Sequence, residues 1–521
     1  MLALSLYGGG AGWAEEPLRI GEIRIQCLDV FTSEEEEHGF LYRAADALHV
    51  ETQTAVIRRF LLFREGETYD ANLLAQTERN LRRLSFLRSA SVRAGEPHDG
   101  VVDVDVETKD AWTTEFQAHL GRGGGETTWA AGIAESNVAG LGKQVGVTYD
   151  EEVQRTNRLF EYRDPALFGS TWSGGLLYAD NSDGRERRVD VQRPFYSLLD
   201  TLSGGALWDH HELEDRIYAG GVVSSEYAQD HEEARLAAAL AVLPGDLRAR
   251  RLTLGIDFFR DDFQNVEARP DDVLPASRNF RYVFVGWEDV SSDFVTENFV
   301  DRGERLEDFN LGTRAAAQFG VSPKAFGADS TSLAVAGELS RGWRLGPESF
   351  VSARADFRTR LDGGVEDAIL TGSATLVWRH VGGTLPQTTI IRLEGDRGWN
   401  LDRDVQFFAD GEHGLRGYRL YAFEGNRRVV LNVEHRVFTG FEILQLLTLG
   451  GAAFVDTGTA VPPDTPLRFS SLRTDAGVGL RVGIARAASN TVLRLDCAYA
   501  FNADPLGHRG WLVSFSSGQA F

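Results

Sequence analysis

Side chains able to do chemistry at a fixed spacing are few in this chain, and the densest group is His210, His211 and Glu212. Two imidazoles beside a carboxylate are donors of the right type for a divalent transition metal. A fixed site also needs further ligands and outer partners that orient the rings. The group sits in the acidic stretch Asp209 to Asp215, so it reads as a solvated loop with at most adventitious metal affinity. The sequence has no Gly-x-Ser-x-Gly elbow, phosphate loop, cysteines at metal spacing or His-Glu-x-x-His helix. No nucleophile can be matched with a base, so neither an enzyme nor a cofactor nor a resident metal is expected.

Function must then come from shape and surface, and composition limits which shapes are open. The 521 residues include 56 Gly but only 14 Pro and 1 Met, and 42% are hydrophobic. Nowhere do roughly 18 apolar residues run together without charge, so a membrane helix is not expected. A membrane role would come through a β-barrel, whose alternating lipid and lumen faces average to a polar sequence. The net charge of −23 removes the basic footprint of a nucleic-acid binder. Cys27 and Cys497 fall in segments assigned to different domains and read as packing residues, not a disulfide framework. Leu2, Leu4 and Leu6 ahead of a small-residue stretch resemble the end of a secretory signal without its basic start. Residues 1–17 are therefore set aside as a signal remnant or a disordered start.

Periodicity supplies the elements. Ile20, Ile23 and Ile25 suit a strand, followed by an acidic insertion at Glu34 to Glu37. Val56, Ile57, Phe60, Leu61 and Phe63 then recur at helical spacing behind Thr52 as N-cap. A second helix starts on Asp70 and carries Leu73, Leu74, Thr77, Leu81 and Leu84, with Arg79, Arg82 and Arg83 on its other face. Two strands, Phe86 to Arg93 and Val101 to Glu107, complete a β-α-α-β-β unit over residues 18–109. Beyond Lys109 the period of two takes over, first in Trp112, Thr114, Phe116, Ala118 and Leu120, and later around Leu252 to Phe258 and Val429 to Val433. Acidic, Gly-rich or Pro-containing stretches at Asn181 to Arg187, Asp209 to Asp215, Asp261 to Asp272 and Pro462 to Pro466 read as turns and loops. At roughly 25 residues per strand with its loop, residues 110–521 give an antiparallel transmembrane barrel of about 16 strands.

Glu78-Arg79-Asn80-Leu81-Arg82-Arg83-Leu84-Ser85-Phe86-Leu87, followed by Val101 to Val106, resembles a POTRA domain. Gly414-Leu415-Arg416-Gly417-Tyr418 resembles the Arg-Gly-aromatic tip of the long loop that folds back into BamA-type barrels. Glu434 and Phe454-Val455-Asp456-Thr457-Gly458 follow at the order and spacing of that family's Phe-x-Asp-x-Gly strand motif. Tyr162 to Gly169, Arg193 to Tyr196 and Leu306 to Gly312 resemble early and mid-barrel stretches of the same family. On these residues the chain is similar to the BamA/TamA family of outer-membrane assembly factors, also known as bacterial surface antigen barrels, over essentially its whole length. It departs from the best-known members in having room for one POTRA domain only.

The resemblance implies a loop lock in the lumen: Arg416 bonded to Glu434 and Asp456, with Gly417, Tyr418 and Gly458 allowing the close approach. The chain ending at Phe521, with Phe515 on the same final strand, resembles an outer-membrane sorting signal. The implied work is assembly, insertion or translocation of proteins at the outer membrane, with the POTRA unit in the periplasm. No reaction is needed, because backbone pairing templates the client: the POTRA edge strand Phe86 to Arg93 captures it, and a seam between Trp112 to Leu120 and Trp511 to Phe521 receives it. Implied partners are outer-membrane lipid, unfolded outer-membrane or secreted clients, and periplasmic chaperones or accessory lipoproteins. The rival readings are a passive pore and a surface or interaction barrel that recruits periplasmic partners.

Overall fold

The computed structural model of the chain describes residues 17–30, 50–123, 126–152, 154–301, 303–380, 382–443, 447–484 and 492–517. The expected signal remnant, the acidic insertion at Glu34 to Glu37 and Phe521 lie outside the described residues.

The N-terminal unit runs β1 (Arg19–Leu28), α1 (Thr54–Arg59), α2 (Ala71–Arg82), β2 (Leu87–Ala94) and β3 (Val101–Asp110). Its sheet has the order β1-β3-β2, with β1 parallel and β2 antiparallel to the central β3. Alternation on the strands buries Ile20, Ile23, Val104 and Val106 against Val56 and Ile57 of α1 and Leu74 and Leu81 of α2. Asp70 caps α2 as its type predicts, its side chain accepting from the Asn72 amide. Thr52 does not cap α1. The N-cap position is Gln53, without a side-chain bond, and buried Thr52 instead donates its amide to Asp110.

From Thr114 onward the described residues close into an antiparallel barrel of twenty strands, against the expected sixteen or so. Two assumptions lowered the expected number. Several hairpins turn in two residues, as between Asn181 and Gly184 and between Ala219 and Val222. The charged stretches at Asn181 to Arg187 and Asp209 to Asp215 also fall largely on strands, Gly184–Arg193 and Leu202–Ala219, rather than in loops. Where a strand continues past a membrane both its faces meet water, so polarity there does not mark a loop.

The outer wall carries an apolar band. Leu252 pairs with Trp287, Leu254 with Val285 and Ile256 with Val283, and Val285 and Val283 continue onto Phe319 and Val321. All of these side chains are exposed. A contiguous exposed apolar surface of this kind suits lipid. No helix among the described residues is long and apolar enough to cross a membrane.

Among the described residues two connections carry small strand pairs of their own. Residues 292–313 follow the tenth barrel strand, on the side of the N-terminal unit, and contain the small hairpin Phe294–Glu297 with Glu307–Asn310. The stretch Leu306 to Gly312, which resembles a mid-barrel stretch of the family, belongs to this insertion between two wall strands and not to the closed sheet. Residues 400–426 follow the fifteenth strand, at the opposite end, and carry the pair Phe407–Ala409 with Phe423–Gly425.

Candidate functional site

The 400–426 loop is pinned at its base. Arg278 donates to Asp402 at 2.7 Å and to Asp404 at 2.6 Å, and Arg360 donates to Asp402 at 2.9 Å. Fully buried Asp410 then organises the turn: its carboxylate accepts from the amides of Glu412 and His413 at 3.0 Å and of Tyr421 at 2.7 Å.

This scaffold delivers Arg416 into a wall built by register. Asn432 lies opposite Asp456 and Glu434 opposite Phe454 on neighbouring strands, so all four side chains share the lumen face. Arg416 grips Asp456 with two bonds of 2.8 Å, from Nε and Nη2, and donates Nη1 to Glu434. Its guanidinium lies 3.5 Å from the centre of the Phe454 ring. Arg416 is 4% exposed, and Glu434 and Asp456 are fully buried, so these charges are paired out of bulk water. Asn432 adds a bond to Asp456 at 2.7 Å, and Glu434 also receives Arg436 Nε at 2.7 Å and Arg481 Nη2 at 3.3 Å.

The two glycines are steric requirements. A Cβ on Gly417 would stand 2.5 Å from the Cβ of Asp475, and one on Gly458 would stand 2.5 Å from the Val429 carbonyl and 2.9 Å from the Val430 Cα. Tyr418 donates its hydroxyl to the Thr474 carbonyl at 3.1 Å and meets Phe423 edge to face. The six residues expected to form the lock are therefore brought together.

Sequence reading missed the partner that enters from the other end. Within 292–313, Val295, Val300 and Leu311 bury against Phe350, Val377 and Ile390 of the wall. Thr388 donates to the Phe299 carbonyl at 2.6 Å, and Arg436 Nη1 donates to the Val300 carbonyl at 2.9 Å and to Asp301 at 2.6 Å. The same segment reaches back to the N-terminal unit. Arg82 of α2 holds Asp308 through bonds of 2.9 and 2.8 Å, Arg305 donates to the carbonyls of Arg82 and Leu87, and Arg79 stacks over Phe294 at 4.3 Å. Burial alone would raise the Asp308 carboxyl, but the bonds from Arg82 and Thr296 outweigh it and hold the group below its ordinary value. One run of contacts thus joins α2 through 292–313 to Arg436, Glu434, Arg416 and Asp456. The only signal for it in the sequence was the alternation of Asn432, Glu434 and Arg436.

A lumen cavity of about 1360 Å³ remains beside the 400–426 insertion, lined by residues that include Arg235, Glu288, Arg314 and Glu338. At the seam, among the described residues, the last strand meets the first through Val513 with Arg122 and Ser514 with Gly121. Against its other neighbour the last strand is in register at seven positions, Leu495 with Phe515 among them.

No family model matches the chain, and no curated protein matches it. Solved structures do. CdiB from Acinetobacter baumannii aligns over 96% of this chain and 74% of its own, at 11% identity and a TM-score of 0.51. The chain has the fold of an outer-membrane β-barrel of the CdiB kind. CdiB from Escherichia coli aligns over 96% of this chain and 76% of its own at 13% identity and a TM-score of 0.47. BamA from Haemophilus ducreyi, in a form lacking POTRA domains 1-3, aligns over 96% and 84% at 14% identity and 0.38.

Proposed function

We propose that this chain assembles, inserts or translocates proteins at the outer membrane, with residues 18–109 acting as a single POTRA domain in the periplasm and 110–521 as the membrane barrel. The seam carries the reading. Among the described residues the register between first and last strands covers two positions at the end away from the N-terminal unit, leaving Ala118 to Leu120, opposite Phe515 to Ser517, outside it. Barrels abolish their edges by closure, so an edge left incompletely paired offers main-chain donors and acceptors to an incoming strand. It lies on the side from which a client bound to the N-terminal unit would arrive.

β2 is one of the two edges of the N-terminal sheet and is the candidate first contact for an extended client by strand addition. Its Leu87 carbonyl and Val92 amide are held by Arg305 and Glu78, which bracket the stretch left to a client. Clients are unfolded outer-membrane or secreted chains, delivered alone or by periplasmic chaperones and accessory lipoproteins. In this reading the Arg416 lock keeps the long loop seated while the seam works, and Phe515 and Phe521 serve as the chain's own sorting signal.

The test is the folding of a denatured outer-membrane client into liposomes with and without the purified protein. Gly121 and Ser514 face each other across the seam, so cysteines at both, with Cys27 and Cys497 changed to Ser, close it reversibly. Acceleration that the oxidised crosslink removes and a reductant restores supports seam templating. Steady ion conductance without acceleration favours the pore reading, for which the charged lumen cavity is the supporting observation.

A further inference from the structure

The histidines dismissed as a solvated loop lie on the strand Leu202–Ala219, and the neighbouring strand Val222–Leu243 brings His231 directly opposite His211. Alternation puts Asp209 and His211 on one face of the sheet with His231, while His210 and Glu212 take the other. The first face looks into the lumen, because His231 meets Asp261, which Arg278 in turn ties to Asp402 and Asp404 of the inserted loop.

We propose that Asp209, His211 and His231 form a binding site for a zinc-class divalent transition metal on the upper lumen wall. One ligand atom from each of the three lies within 4.8 Å of the others, close enough to share an ion. The rings of His211 and His231 stack at 4.5 Å between centroids, and His211 Nδ1 is 3.3 Å from the Asp209 carboxylate. Two imidazoles and one carboxylate with a position open to the lumen suit Zn²⁺, Ni²⁺ or Cu²⁺, and disfavour Ca²⁺ and Mg²⁺, which require oxygen donors.

The second observation is an outer partner of the kind a fixed site needs. His231 Nδ1 is 2.7 Å from Asp261, a carboxylate 1% exposed that also accepts from Gln229 at 2.9 Å and from Arg278 at 2.7 Å. A carboxylate on one ring nitrogen fixes the tautomer, orients the ring and leaves Nε2 for the metal. Arg278 does not make the region repel a cation, since Asp402 and Asp404 balance it, while a second nearby guanidinium, that of Arg188, is matched by Asp209 at 3.8 Å. An ion here would tie two adjacent strands and, through Asp261 and Arg278, the base of the 400–426 loop.

The experiment uses the full chain in detergent micelles, stripped with EDTA, desalted and titrated with ZnCl₂ by calorimetry at neutral pH. The expected result is a specific site of about one equivalent, weakened at least about hundredfold in His211→Ala and in His231→Ala. Asp261→Asn should weaken it by about tenfold to hundredfold with all three ligands intact. His210→Ala, on the opposite face, should leave it unchanged. Binding that survives both His211→Ala and His231→Ala, binding abolished by His210→Ala, or no binding by the wild type overturns the proposal. Where a variant fails to fold, carbethoxylation of the wild type read by mass spectrometry decides: Zn²⁺ must protect His211 and His231, and equal labelling with and without it overturns the site.

Discussion

Replacing Arg416 by Ala removes the two bonds to Asp456, the bond to Glu434 and the cation over Phe454. The two carboxylates do not suffer equally. Glu434 keeps Arg436 and Arg481, whereas Asp456 keeps the Asn432 amide and faces Asp475 across the next strand pair. The variant therefore strands one fully buried carboxylate, and removing one partner of a buried ion pair costs about 3–5 kcal/mol. Asp456→Asn in the same chain takes away the stranded charge and should return at least about 1.4 kcal/mol, a tenfold gain in the folding equilibrium. Guanidinium titration in detergent, with the folded fraction read from heat-modifiable gel mobility, measures both. An Arg416→Ala protein within about 1 kcal/mol of wild type would behave like a solvated surface pair and would refute the reasoning.

Gly458→Ala pushes a methyl against backbone atoms that cannot move independently, and should cost about 1–3 kcal/mol in the same titration with reduced barrel yield. Because Asp308 is held below its ordinary value, the docking contributed by the Arg82 pair should be intact from pH 7 to pH 5. It should be lost only as pH falls through the depressed value, as a fluorophore and quencher bridging α2 and 292–313 would report. Leu254→Arg places a charge in the outer apolar band and should cost about 2–4 kcal/mol near the bilayer midplane, measured by folding into liposomes, whereas the same change at lumen-facing Gln318 should be far milder.

What the sequence made legible follows from how each signal is encoded. The helix on Asp70 and the alternation of β3 are carried by residues close along the chain or by a period of two, the neighbourhood of Arg416, Glu434 and Asp456 was legible only through the family resemblance of their motifs, and the structure contains all three. The strand number was obscured because strands such as Leu202–Ala219 run on past the apolar band as charge-bearing wall. The 292–313 insertion was obscured differently: Ser292 to Thr313 has neither period, and what holds it is long-range, with Arg82, Arg379 and Arg436 reaching it from three other elements. The facing of His211 and His231 depends on strand register, which turn geometry and the buried face set jointly and no local pattern states.

The two insertions also bear on the route a client would take. They enter the lumen from opposite ends and meet at Arg436 and Glu434, so a chain threading past that contact would have to displace both. Displacement exposes or strands the pairs Arg416 with Asp456 and Arg82 with Asp308. Breaking even one such buried pair without replacement costs about 3–5 kcal/mol. Parting the first and last strands at the seam instead breaks main-chain bonds worth about 0.5–1.5 kcal/mol each, which an incoming strand would remake as it pairs. Under the proposed function these magnitudes favour entry of a client into the barrel wall through the seam over crossing the lumen, and closing the seam should then stop the activity while the lumen contacts stay in place.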